Sequence, residues 1–116
     1  MSKTLYDIAY DFEKILRQSN EYTNLKRMYT EVNADPVAKQ LFNKFNNSQM
    51  ELEKKQMEGQ QILQQEVEAF QKIAATVQRN KKISELMKAD HQVNILIMEL
   101  NKIITKPIQE IYGNFE

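Results

Sequence analysis

Apolar residues recur at helical spacing along most of the chain, and the clearest series runs from Asn80 to Ile104. There Ile83, Leu86, Val93, Ile97, Leu100 and Ile104 occupy a and d positions of a heptad, one narrow seam along a helix. Met87, Leu96 and Ile103 flank the seam and widen it into a core-facing stripe. Such a helix would be about 35 Å long, enough for the spine of a small bundle.

The remaining elements read as helices laid against that spine. Thr4, followed three residues later by Asp7, opens the first helix with a capping-box-like start. Leu5, Ile8, Phe12, Ile15 and Leu16 then follow on one face with Ala9. Three later helices share a start pattern of a cap, an apolar residue three on and a leucine six on. The sets are Ser19/Tyr22/Leu25, Asp35/Ala38/Leu41 and Asn80/Ile83/Leu86. The cap oxygen takes a free backbone N–H, and the apolar pair begins the buried stripe one turn later. Pro36 after Asp35 strengthens the second start, where the missing N–H costs nothing.

The second helix is expected to bury Leu25, Met28, Tyr29 and Val32, the third Val37, Leu41, Phe42 and Phe45. From Asn46 the third turns polar, and only Leu52 clearly continues its stripe. Gly59 is the natural stop. A fourth helix from about Gln64 carries Val67, Phe70, Ile73, Ala74 and Val77, so residues 46–66 read as a helical hairpin with a polar, projecting tip. The apolar phase slips between Val77 and Ile83, which predicts a break there. Pro107 removes a donor and disfavours helix at Lys106, so a separate short helix, Pro107 to Tyr112, is expected to bury Ile108 and Ile111. The reading is all-α: an elongated bundle of five to six helices in one domain, 1–116. Their approximate bounds are 4–18, 20–33, 36–58, 64–79, 81–104 and 107–112.

Composition narrows the function more than the fold. Two glycines and two prolines argue against a turn-rich sheet protein. Sixteen basic and sixteen acidic side chains cancel, so no broad pull toward nucleic acid or anionic membrane is expected. The chain has no cysteine, which removes disulfide and thiolate chemistry and fits a reducing cytosol. The N-terminal residues lack the apolar core of a signal peptide, and Val93–Ile104 is too short and too interrupted to span a bilayer. The expected location is cytoplasmic.

Sites for chemistry are sparse. His91 is the single histidine, so no histidine pair for zinc and no paired Glu-x-x-His set exists. Asp90, its neighbour, points about 100° away on a helix and cannot readily orient the ring for a triad. His91 reads as a structural or surface residue. Asp90 falls at an a position of the seam. A registry role is conceivable, but a position reaching solvent beside Met87 and Ala89 is favoured. Met50 and Met57 could contact varied partners or pack between the hairpin arms. Lys54, Lys55, Arg79, Lys81 and Lys82 form two basic clusters without aromatic neighbours, which gives RNA binding weak support. Tyr6, Tyr10, Tyr22 and Tyr29 read as packing residues. No catalytic residue, metal site or cofactor is expected.

Several stretches, in order, resemble the YlbF/YmcA-type family of small bacterial helical proteins, and most closely its YheA-like branch. They are Leu5-Tyr6-Asp7-x-Ala9-Tyr10, Ser19-x-Glu21, Leu25-Lys26, Phe42-x-x-Phe45, Gln56-Met57-x-Gly59-Gln60 and Glu66-Val67-Glu68. The end adds Glu99-Leu100-Asn101-Lys102-Ile103-Ile104, Lys106-Pro107-Ile108 and Ile111-Tyr112-Gly113. The resemblance implies an all-helical, cytosolic, self-associating protein of Gram-positive type. It also implies a link to competence, sporulation and biofilm formation, through relatives whose complex modulates an RNA-processing endoribonuclease. A relative's iron–sulfur binding rests on cysteines that this chain lacks, so that cofactor is not carried over. The combined expectation is a non-enzymatic, dimeric adaptor acting through protein partners, with RNA binding or a chaperone-like hairpin as alternatives. Met50, Leu52 and Met57 on the hairpin, with Val93, Ile97, Leu100 and Ile104 on the spine, are the candidate interface residues.

Overall fold

A computed structural model describes residues 3–113 as five helices in chain order: α1 Leu5–Gln18, α2 Asn20–Ala34, α3 Pro36–Met57, α4 Gln64–Arg79 and α5 Lys81–Gly113. No strand occurs among the described residues. Positions 1–2 and 114–116 of the expected domain lie outside them.

Cap chemistry sets the helix starts. At α1 the Asp7 N–H donates to Thr4 Oγ1 and the Thr4 N–H donates back to Asp7 Oδ2, both at 3.1 Å, a reciprocal capping box. The three shared start patterns all form the expected bond. The amides of Tyr22, Ala38 and Ile83 donate to the side chains of Ser19, Asp35 and Asn80 at 3.2, 3.2 and 3.1 Å. Ser19 also donates its hydroxyl to the Leu16 carbonyl, so one side chain closes α1 and opens α2.

α3 ends in a Schellman motif. The Gln60 N–H donates to the Lys55 carbonyl and the Gly59 N–H to the Gln56 carbonyl, with Gly59 at φ +71°. Glycine meets that left-handed conformation without the Cβ penalty. The break between α4 and α5 falls at Asn80, as the phase slip predicts.

α5 corrects the expected second break. It runs through Pro107 to Gly113 as one helix. Proline's fixed φ is itself helical, so what is lost is the hydrogen bond back to Ile103. Ile103 is 67% exposed, and a carbonyl at such a position can turn to water instead.

The chain divides into two compact units, one formed by Lys26–Met87 and the other by the residues up to Leu25 with those from Lys88 onward. In the Lys26–Met87 unit the buried side chains are Met28, Val32, Ala38, Val77, Ile83 and Leu86. α3 and α4 pair there. Phe45 and Phe70 stack at 5.4 Å, Tyr29 meets Phe42 edge-on at 6.0 Å, and Lys82 Nζ donates to Asp35 Oδ2 at 3.2 Å. Two residues expected inside this unit lie outside its core: Val37 is 70% and Tyr29 44% exposed. Both sit at the edge of a helical stripe whose centre, near Ala38 or Val32, takes the buried position.

The other unit departs further from expectation. α1 has no buried residue, although its apolar face is the cleanest in the chain. Ile108 and Ile111 are also exposed. Spacing places these residues on common faces; nothing among the described residues of this chain lies over them.

Candidate functional site

Three apolar surfaces stay open. The first is α1, where Leu5, Ile8 and Ile15 form the stripe with Phe12, while Tyr6 and Tyr10 lie outside it on the side of Glu13 and Arg17. All six are exposed, Leu5 by 85% and Tyr6 by 78%. The tyrosines are therefore not packing residues within this chain. Polar pairs keep to the other side of the helix: Arg17 Nε donates to Glu13 Oε1 at 2.9 Å and Lys3 Nζ to Asp11 Oδ2 at 2.6 Å.

The second surface is the end of α5. Val93, Ile97 and Leu100 are half-buried, while Ile104 is 69% exposed together with Ile103, Ile108, Ile111 and Tyr112. The seam is thus covered at its beginning, at Ile83 and Leu86, and bare at its end. Asp90 is exposed and accepts from Asn94 Nδ2 at 3.3 Å, an ordinary surface contact within one helix. His91 is exposed as well.

The third surface is on the hairpin. Met50 and Met57, two turns apart on α3, line a shallow patch with Glu53, Lys54 and Glu58. Leu52 does not join them. It lines a groove between α3 and α4 with Ser48, Glu51, Lys55, Glu66, Ala69 and Phe70, closed at one side by the Lys55–Glu66 ion pair. Met50 and Met57 are 65% and 88% exposed, so they do not pack between the arms. Of the basic clusters, Lys55 and Lys82 are engaged by Glu66 and Asp35.

Hydrogen bonds from the Ala38 amide and from Lys82 hold the Asp35 carboxyl below the usual aspartate range. That is the chemistry of a helix cap. No three acidic or histidine side chains gather for a metal among the described residues, and no described helix is long and apolar enough to cross a membrane.

The fold defines an all-helical chain with open amphipathic faces, and comparison with known proteins gives the family. The sequence profile described as "Control of competence regulator ComK, YlbF/YmcA" matches residues 5–109. The chain belongs to that family. It is 51% identical to the UPF0342 protein YheA of Bacillus subtilis over 116 residues, spanning 100% of this chain and 99% of that one. A solved structure from Bacillus stearothermophilus, a protein of unknown function (DUF964), superposes with a TM-score of 0.87 at 35% identity. That match covers 98% of this chain and 100% of the other. Bacillus subtilis RicA, solved in complex with RicF, shares the fold with a TM-score of 0.68 at 17% identity, covering 93% and 96% of the two chains.

The expected interface set is therefore split. Met50 and Met57 share one patch, Leu52 belongs to the hairpin groove, and Val93, Ile97, Leu100 and Ile104 grade from half-buried to open. Sequence reasoning passed over α1. Its signal was present, as a full apolar stripe, but spacing alone does not distinguish a stripe facing its own core from one facing outward.

Proposed function

We propose that this chain is a non-enzymatic adaptor that self-associates and engages other proteins through its helical faces. The observation that carries the reading is the apolar surface left open on α1, on the end of α5 and at Met50 and Met57. Large contiguous apolar patches on a folded protein mark interaction sites. Two further facts support it: membership of a family described by the control of a competence regulator, and a fold neighbour solved with a protein partner. By that family link, the adaptor acts in the control of RNA processing, competence, sporulation or biofilm formation. Its place of action is the cytoplasm.

In this reading the hairpin serves heterologous partners. The two methionines offer flexible, polarisable contacts, and Lys54 with Glu53 and Glu58 supplies a polar rim. The test is affinity purification of the tagged protein from its native cytoplasm, beside Met50→Glu/Met57→Glu. Proteins retained by the wild type and lost from the double variant are the expected result. Retention of no protein above an untagged control would overturn the adaptor reading, and RNA as the only retained species would replace it.

A further inference from the structure

Both open faces of the unit formed by the chain's two ends are long, uncharged and mutually unused. On α1, Leu5, Ile8, Phe12 and Ile15 are 85, 53, 42 and 67% exposed. With Ala9 and Leu16 they fill an arc of about 120° that contains no charged residue. On α5, the run from Leu96 to Ile111 places Leu100, Ile103, Ile104, Ile108 and Ile111 in an arc of about 140°, again without a charge. The last four are exposed by 67, 69, 53 and 55%. The two stripes also match in length: Leu5–Ile15 and Leu100–Ile111 each span about 16 Å at the helical rise.

We propose that in a two-fold dimer α1 of each copy lies along the Leu100–Ile111 stripe of the other. This rests on the self-association reading above and names the faces that perform it. The area argues for a second copy as the occupant. The eight open apolar side chains of the two stripes present on the order of 800 Å² per chain, at roughly 100 Å² each. A stable interface of standard size hides about 800 Å² on each partner. A reciprocal contact uses each face once per copy, so a single symmetry operation covers all four and leaves none over. The helices then meet as a small intermolecular bundle with apolar residues inside. A formal charge of zero puts no net repulsion between copies.

The absence of cysteine makes the test direct. Ile8→Cys in a tagged chain and Ile108→Cys in an untagged chain are co-expressed, purified through the tag and treated with a flexible bismaleimide. Circular dichroism checks that each variant keeps wild-type helicity, and sedimentation of the unmodified protein gives its mass in solution. The expected result is a dimer in sedimentation and several-fold more covalent pair in the mixture than in either variant alone. Cross-linking of Ile8→Cys to itself, with no excess in the mixture, would overturn the reciprocal arrangement and leave self-association standing. The double variant Ile8→Cys/Ile108→Cys linking within one chain would overturn it also, by showing α1 folded on its own α5. A wild-type monomer at high micromolar concentration would overturn both readings.

Discussion

Gly59 is where one residue most clearly decides local structure. Its φ of +71° lies in the left-handed region, and a Cβ built there meets nothing within 4 Å. The cost of a side chain is thus conformational and not steric crowding by neighbours. Gly59→Ala should destabilise the protein by about 1 kcal/mol, with Gly59→Asn falling between the two, as urea unfolding would measure. Equal stability of all three would mean the end of α3 is not held in this turn. Asp35 makes a different kind of prediction. Its carboxylate accepts from the Ala38 and Val37 amides and from Lys82, and these bonds lower its folded-state pKa. The stability it contributes is therefore present above the unfolded-state value of about 3.9 and is lost as pH falls through the lower folded value. The melting-temperature gap between wild type and Asp35→Ala should be constant near neutrality and close on acidification below about pH 4. A gap that persists at low pH would assign the effect to helix propensity instead of the charge.

At the scale of elements, the hairpin and α5 show what sequence carries and what it does not. Cap bonds are local, so Thr4, Ser19, Asp35, Asn80 and Gly59 were legible as helix ends, and the structure uses every one of them. Pro107 predicts a break for an equally local reason, yet its helix continues. The rule weighs a lost hydrogen bond without knowing whether water can replace it, and exposure around Ile103 depends on the whole fold. Pro107→Ala should restore the donor to that carbonyl. Amide exchange at residues 108–112 should then slow, since the last turns would gain a bond and lose a steric conflict worth up to about 3 kcal/mol. Unchanged exchange would mean that the terminal turns are held by something other than their own helix. Burial was the least legible property of all. A stripe such as Leu5–Ile15 has the same spacing whether it faces its own chain or another, so the candidate site was visible as periodicity but not as a surface. The Phe45–Phe70 stack is the counterexample, where two stripes did find each other within the chain.

The whole molecule links these faces to stability. The buried apolar residues among those described are Met28, Val32, Ala38, Val77, Ile83, Leu86 and Ala89, a small set in which two members are alanines. A core this modest leaves the protomer with little reserve, because apolar burial is the main favourable term in folding. If a second copy covers α1 and the end of α5, folding and association are coupled, and the thermal midpoint must rise with protein concentration. Ile104→Asp separates the alternatives. At 69% exposure in the single chain, an aspartate there faces water and should change monomer stability by no more than about 0.5 kcal/mol. At the centre of a covered stripe the same charge would be buried without a partner, at a cost large enough to dissociate the dimer. The expected outcome is a wild-type midpoint that climbs with concentration and a variant midpoint that stays flat at the dilute limit, with helicity retained. Two flat curves that coincide would place the stripe in contact with solvent in the free protein, and its occupant would then have to be a different chain.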